Sequence, residues 1–385
     1  MKTVSILGST GSVGRSTIDL VASRTDKFRV VALTANTNVA LLAEQARALG
    51  AEHAVIADEK LYEDLKQALA GTKTKAAAGS QAVVDAAGIP ADWIMAAIVG
   101  AAGVSSTLRA IEQGTTVALA NKESLVCAGP FMMEAVRKHG TSLLPVDSEH
   151  NAIFQVLNPR QIDGVKRLIL TASGGPFLRK TRAELGSITP EQAVKHPTWA
   201  MGRKISVDSA TMMNKSLEII EAYYLFNVKH DKIDVVIHPQ SIVHSMVEYI
   251  DGSILSQMGA PDMRTPIANA LAWPERMATT GDTLNLGNQI NLSFEQIDIV
   301  RFPSVKMARD VLQANSPAAS AVFNAANEAA VAAFLTRKLK FSEIESVVGE
   351  TLQTAEIPSV SSLEAIFQTD ADARRIAEKV IAGVH

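Results

Sequence analysis

An apolar run at residues 4–7 passes directly into Gly8-Ser9-Thr10-Gly11-Ser12-Val13-Gly14, and a helical pattern follows at once. A strand that turns this tightly into a helix needs glycine where the backbone is crowded, and it commits the chain to a βαβ start. The same alternation continues to about residue 147. Short apolar runs recur at 28–33, 54–57, 93–99, 116–120 and 143–146, with apolar positions at helical spacing between them, as at 16–22, 40–49 and 104–112. Strands alternating with helices build a parallel sheet covered on both faces. The expected fold class is α/β, beginning with a Rossmann-type domain over residues 1–147.

Beyond residue 147 the pattern changes. Residues 165–171 read as a strand, and Thr189-Pro190-Glu191-Gln192 carries helix-start chemistry. Residues 208–226 have the length and period of one long helix, and the runs 242–249 and 253–258 flank Asp251-Gly252, a hairpin signal. A central α+β catalytic domain is expected over 148–285. Gly, Asn and Thr accumulate from about 276 to 305, so residues 286–311 are assigned to a connector. Ser316-Pro317 opens a largely apolar helical stretch, and three or four helices form the C-terminal helical bundle expected over 312–385.

Composition excludes some classes. A net charge of −3 lacks the basic excess of a duplex-binding surface, so no nucleic-acid partner is expected. Cys127 is the single cysteine, which rules out an internal disulfide and fits a cytoplasmic location. No apolar run reaches the roughly 18 residues of a membrane span, so no membrane partner is expected.

The glycine loop lets backbone approach a pyrophosphate, whose charge a helix N-terminus favours; Thr10 and Ser12 add hydroxyls. A tight turn without ligand is the alternative. The second strand ends in Thr34-Ala35-Asn36-Thr37-Asn38, with no acid for a ribose 2′-hydroxyl. That argues against strict NAD use and leaves room for a 2′-phosphate, although the turn holds no Lys or Arg. At the end of the run 143–146 stand Asp147-Ser148-Glu149-His150, and in extended chain 147 and 149 point to one side. Two acids at a strand's carboxyl end repel each other and resist desolvation unless a cation joins them. Oxygen donors favour Mg²⁺ or Mn²⁺. Asn214, Lys215 and Glu218 share one face of the expected long helix, so Asp147, Glu149 and Glu218 form the candidate metal set. Ser173 in a Gly-Gly turn, Ser209 near that helix's expected start, Asn214 and Lys215 suit a phosphate dianion.

Residues 8–14, 119–124, 145–151, 173–177, 196–199, 201–218, 238–244 and 261–266 together resemble the 1-deoxy-D-xylulose-5-phosphate reductoisomerase family. The most specific stretch is Met201-Gly202-Arg203-Lys204-Ile205-Ser206-Val207-Asp208-Ser209-Ala210-Thr211-Met212-Met213-Asn214-Lys215. The family makes 2-C-methyl-D-erythritol 4-phosphate in the non-mevalonate route to isoprenoids. The resemblance implies NADPH contacts at Thr10, Gly11, Ser12, Val13, Asn38, Asn121, Glu123 and Gly202, and Mg²⁺ or Mn²⁺ at Asp147, Glu149 and Glu218. It implies substrate contacts at Lys122, Ser148, Glu149 and Glu218 near the metal, and at Ser173, Ser209, Asn214 and Lys215 around the phosphate. Lys122, Glu149 and His196 are the expected catalytic residues. Where many members carry Gly-Lys, this chain has Asn36-Thr37; NADP is expected to remain preferred, by a smaller factor.

Residues 196–202 suit a closing loop, with Trp199 as its apolar cover and His196 touching substrate on closure. The alternative packs Trp199 in the core. His238 and His244 read as structural, Cys127 as a small core residue, and His150 as a poor match for a hard ion. The resemblance implies a homodimer, for which the hairpin over 242–258 offers a shared sheet edge. Two other functions use the same features: a metal- and NADP-dependent hydroxyacid or sugar-phosphate dehydrogenase, and a nucleotide-sensing protein without catalysis.

Overall fold

The computed structural model describes residues 1–199, 201–287 and 290–384. Contacts sort the chain into two compact units. The first comprises Met1–Ser124, Met132–Asn151 and Asp262–Gly281; the second comprises Leu125–Phe131, Ala152–Pro261 and Asp282–His385.

The first unit is built on a parallel sheet of strands β1 (Lys2–Leu7), β2 (Phe28–Ala35), β3 (His53–Ile56), β4 (Lys75–Ala78), β5 (Trp93–Ala96), β6 (Thr116–Leu119) and β7 (Ser142–Pro145). Their order is β4-β3-β2-β1-β5-β6-β7, a doubly wound arrangement. The winding reverses between β1 and β5, where Val4 lies opposite Val30 on one side and Trp93 on the other. Ligand crevices of such sheets open at this reversal. The inner strands are apolar on both faces, with Val4, Ile6, Leu33, Ile94, Met95 and Val117 fully or almost fully buried. Strand β4 was not expected: Lys75-Ala76-Ala77-Ala78 has no β-branched residue, and pairing with β3 alone makes it a strand. Trp93 donates its indole N–H to the Ala270 carbonyl at 2.9 Å, which ties the helix Arg264–Ala272 to this sheet.

The second unit contains a mixed sheet of β8 (Val165–Ala172), β9 (Ile233–Ile237), β10 (Val243–Tyr249), β11 (Ile254–Met258) and β12 (Glu295–Gln296), ordered β11-β10-β8-β9-β12. The expected hairpin is present, with Gly252 at φ 88°. Strand β9 was missed in the sequence. Three helices, Pro317–Leu335, Ile344–Thr354 and Leu363–Gly383, lie in the expected helical region, and a fourth, Ser304–Gln313, occupies the end of the stretch read as a connector. Pro317–Leu335 is long and apolar enough to cross a membrane, which the sequence reading had not expected of any segment; 78% of its apolar window is buried inside the protein.

The single long helix expected over 208–226 is in fact two, Arg203–Ala210 and Met213–Phe226, broken at Met212 with φ 60°. No Pro or Gly marks the break. A methionine held in left-handed geometry is imposed by its surroundings: it is almost fully buried.

Candidate active site

The loop after β1 is shaped by close approach. Gly8 has φ 85°, and a Cβ there would sit 2.7 Å from the Ala97 carbonyl oxygen; one on Gly14 would lie 2.2 Å from the Gly8 carbonyl oxygen. The helix Ser12–Ala22 therefore packs directly on the loop, and its N-cap, Gly11, brings no side chain to its first N–H groups. Ser9 is turned inward, donating to Gln45 at 2.7 Å, while Gly11 and Ser12 are exposed and Thr10 and Val13 half-buried. An extended anion fits this cradle. Asn36 and Thr37 are exposed beyond β2, and Asn38 caps the helix Val39–Leu49 by accepting from the Leu41 N–H at 3.2 Å.

At the carboxyl ends of β6 and β7 a second group of predicted residues meets. Asn121 caps the helix Lys122–His139, accepting from Ser124 N–H at 3.2 Å and donating to the Gly100 carbonyl at 3.1 Å. Glu123 is buried in that helix's first turn. Lys122 is the first helical residue, where the helix dipole disfavours a cation. Its side chain is 5% exposed, so the charge needs a partner, and Asp147 supplies one as an ion pair. Ser148 donates to Glu149 at 2.6 Å. Glu149 stands in the first turn of the helix Ser148–Val156, which corrects the reading of 147–149 as extended chain. His150 is fully buried, with Nδ1 3.9 Å from Asp147. The first unit thus brings Lys122, Asp147, Ser148 and Glu149 together, and its two acids offer the hard oxygen donors that Mg²⁺ or Mn²⁺ takes.

In the second unit β8 delivers Ser173-Gly174-Gly175, with both glycines at positive φ. A Cβ on Gly175 would lie 2.8 Å from the Ser209 carbonyl oxygen, so this turn rests on the end of the helix Arg203–Ala210. The Gly-Gly pair directly after a strand was the sequence signal for that contact. Ser173 Oγ accepts from Gly175 N–H at 3.1 Å and lies 3.0 Å from His196 Nε2. His196 Nδ1 accepts from the N–H groups of Thr198 and Trp199 at 3.2 and 3.0 Å. Those two bonds fix the proton on Nε2, so His196 donates to Ser173. Trp199 is half-buried rather than in the core, 6.1 Å from the His244 ring. Ala200, within the expected closing loop, lies outside the described residues. Gly202 is the N-cap of the helix Arg203–Ala210.

The helix break alters the reading of Ser209. It lies in the last turn of Arg203–Ala210, not near a helix start, so the anion-favouring end expected there is absent. That end belongs to Met213–Phe226, whose first turn holds Asn214 and Lys215. Both contact Glu218, which is wholly buried. A carboxylate so placed needs positive charge, from Lys215 and from any cation the site takes. His238 is structural: Nε2 accepts from Ile242 and Val243 N–H at 3.2 and 3.1 Å, and the ring stacks on Phe294. Cys127 is buried as expected, accepting from Asn324 at 3.3 Å.

A doubly wound sheet with a glycine cradle at its reversal, together with acids of the kind that hold a hard ion, defines a nicotinamide-nucleotide-dependent, metal-assisted oxidoreductase. Three sequence models of one family match this chain: 1-deoxy-D-xylulose 5-phosphate reductoisomerase over residues 4–129, its C-terminal domain over 143–226, and a further C-terminal domain over 258–376. The reductoisomerase of Zymomonas mobilis is 55% identical over 97% of this chain and 96% of its own length, and that of Rhodospirillum centenum 56% over 99% and 95%. The solved Zymomonas mobilis enzyme in complex with NADPH superposes with a TM-score of 0.93 over 99% of both chains, at 53% identity. A reductoisomerase solved with NADPH, fosmidomycin and magnesium gives 0.94 over 99% and 98%, at 41% identity. The chain belongs to the 1-deoxy-D-xylulose 5-phosphate reductoisomerase family. It converts 1-deoxy-D-xylulose 5-phosphate to 2-C-methyl-D-erythritol 4-phosphate with NADPH and a divalent metal, which sets aside the simple dehydrogenase and the non-catalytic sensor.

Proposed function

We propose that the reaction is divided among this chain's residues as follows. Asp147, Glu149 and Glu218 hold the divalent ion, Mg²⁺ or Mn²⁺; Thr10, Gly11, Ser12, Val13, Asn38, Asn121, Glu123 and Gly202 hold NADPH. When bound, the ion polarises substrate oxygens and NADPH supplies the hydride. Lys122, fixed by Asp147, donates to a substrate oxygen and offsets negative charge beside it. Ser148 and Glu149 contact the same end of the substrate, Glu149 serving as the catalytic carboxylate beside the ion.

Ser173, Ser209, Asn214 and Lys215 grip the phosphate. Binding energy from that remote group orients the carbon skeleton for rearrangement. His196 donates to Ser173 and, with Trp199, closes over the substrate and excludes water. Residues 1–147 serve the cofactor, 148–285 the substrate and the dimer, 286–311 connect, and 312–385 support; residues 288–289 and 385 lie outside the described ones. NADP is preferred over NAD by a smaller factor than in members with Gly-Lys at 36–37.

The observation that carries this reading is the buried Lys122–Asp147 ion pair, a cation held at the end of a helix where the dipole disfavours it. A steady-state assay with the deoxyxylulose phosphate, NADPH and each metal, before and after chelation, tests it. Turnover that survives complete chelation overturns the metal assignment.

Strand β11 is an exposed sheet edge bearing Ile254, Leu255 and Met258 at 52%, 48% and 38% exposure. A bare apolar edge invites pairing, and we assign it to a homodimer in the cytoplasm. Light scattering on Leu255→Lys tests the assignment: an unchanged dimer mass refutes it.

A further inference from the structure

The helix Arg203–Ala210 carries an acid where a helix tolerates it least. Asp208 lies in the last turn, where carbonyl dipoles already concentrate negative charge, and it is 1% exposed. Lys204 stands 2.8 Å away one turn earlier and supplies a charge partner. That pair lies within one helix and does not by itself fix where the helix sits.

A contact 119 residues away ties the helix to a distant one. Asn327 Nδ2 donates to Asp208 Oδ1 at 3.0 Å. Asn327 is fully buried in Pro317–Leu335, where its neighbours one turn away on the same helix, Phe323, Asn324, Ala330 and Val331, are buried too. The amide orientation is settled by charge, because the reverse would set a carbonyl against the carboxylate. Its own carbonyl oxygen has no hydrogen-bond partner among the described residues. A half-satisfied buried amide weakens the packing it sits in, and an apolar residue would serve that core better.

The amide end of the contact is costly to its own helix, and what the two residues secure together is the placement of one short helix. Ser209 follows Asp208 directly, and the Ser173 turn rests on the Ser209 carbonyl through Gly175. Ser304 donates to the Thr211 carbonyl at 3.0 Å and holds the next turn.

We propose that Asp208, clamped by Asn327, is a positioning residue for the substrate phosphate: it sets the rotation of Arg203–Ala210 so that the Ser209 hydroxyl faces that group. The helix Pro317–Leu335 thereby acts on substrate affinity without touching substrate. The proposal rests on the assignment of Ser209 to the phosphate.

Asn327→Leu, Asp208→Asn and Ser209→Ala separate the two claims. Each variant is assayed for KM of the sugar phosphate, KM of NADPH, kcat, and inhibition by inorganic phosphate. Asn327→Leu is expected to raise the sugar-phosphate KM and the inorganic-phosphate inhibition constant together by about tenfold, with the NADPH KM unchanged. Asp208→Asn keeps an acceptor for Asn327 and is expected to fall between wild type and Asn327→Leu; it serves as the test should Asn327→Leu not fold. If Ser209→Ala weakens phosphate binding and neither clamp variant does, the clamp is overturned and the phosphate assignment stands. If Ser209→Ala leaves phosphate binding unchanged, both fall. A loss of melting temperature with both phosphate readouts unchanged marks the contact as merely structural and overturns the proposal.

Discussion

Glu345→Gln should abolish a pH-dependent weakness in the second unit. Glu345 sits in the first turn of the helix Ile344–Thr354 with Oε1 out of contact with water and without a hydrogen-bond partner. Burial pushes its carboxyl up to about 7 from an ordinary 4.5; hydrogen bonds from Ser304 and the charge of Arg182 pull the other way and offset only part of this. Unfolded chain releases the proton near 4.5, whereas folded protein keeps it to about 7. Between those values the native state binds more protons, so stability falls as pH rises through this window and the loss is complete above it. At ~1.4 kcal/mol per pH unit the loss is capped at about 3 kcal/mol. Gln cannot ionise, so the variant lacks this slope, and the difference between the two proteins cancels every other titrating group. Hydrogen exchange of the Ile344–Thr354 amides, corrected for intrinsic rates at pH 5 and pH 8, reads it directly. Protection in the variant should gain on wild type by up to roughly two decades between the two pH values. Parallel pH slopes in the two proteins would refute the reasoning, because the carboxyl would then be ionised in the folded state at no cost.

Other outcomes follow from the site. Glu218→Gln keeps an acceptor for Asn214 but loses a charge, and turnover should fall roughly 100-fold or more while titration calorimetry shows weaker Mn²⁺ binding; unchanged metal affinity removes Glu218 from the ion's ligands. Gly14→Ala places a methyl group against the Gly8 carbonyl, and NADPH affinity by fluorescence should drop at least about tenfold; wild-type affinity would mean the loop yields without cost. Trp199→Ala should raise the sugar-phosphate KM and lower kcat together by about tenfold, whereas normal kinetics would return Trp199 to a packing role.

Much of this was legible in the sequence because its signals are local. The apolar runs that became β1, β2, β5, β6 and β7 needed only their own composition, and the capping chemistry at Thr189 and Pro317 marked helix starts that are present. The pairing of Asp147 with Glu149 at a strand end was legible from the residues, whereas Lys122 and Ser148 joined them only through the family resemblance. What escaped was set by distant neighbours. Strand β4 has a composition indifferent to strand or helix. Met212 shows no breaker, so Ser209 was assigned to the wrong end of a helix. Asp208 sat inside the most specific motif without a role.

The sequence by itself determined the doubly wound sheet, the glycine cradle and the chemistry of the acids, because periodicity, turn chemistry and side-chain charge act over a few residues. Tertiary structure alone decided where the long apolar pattern breaks into two helices, which tautomer His196 holds, and which buried amide meets Asp208. Each of those depends on a hydrogen bond or a steric limit imposed by chain folded around it, and no short window of sequence contains both partners.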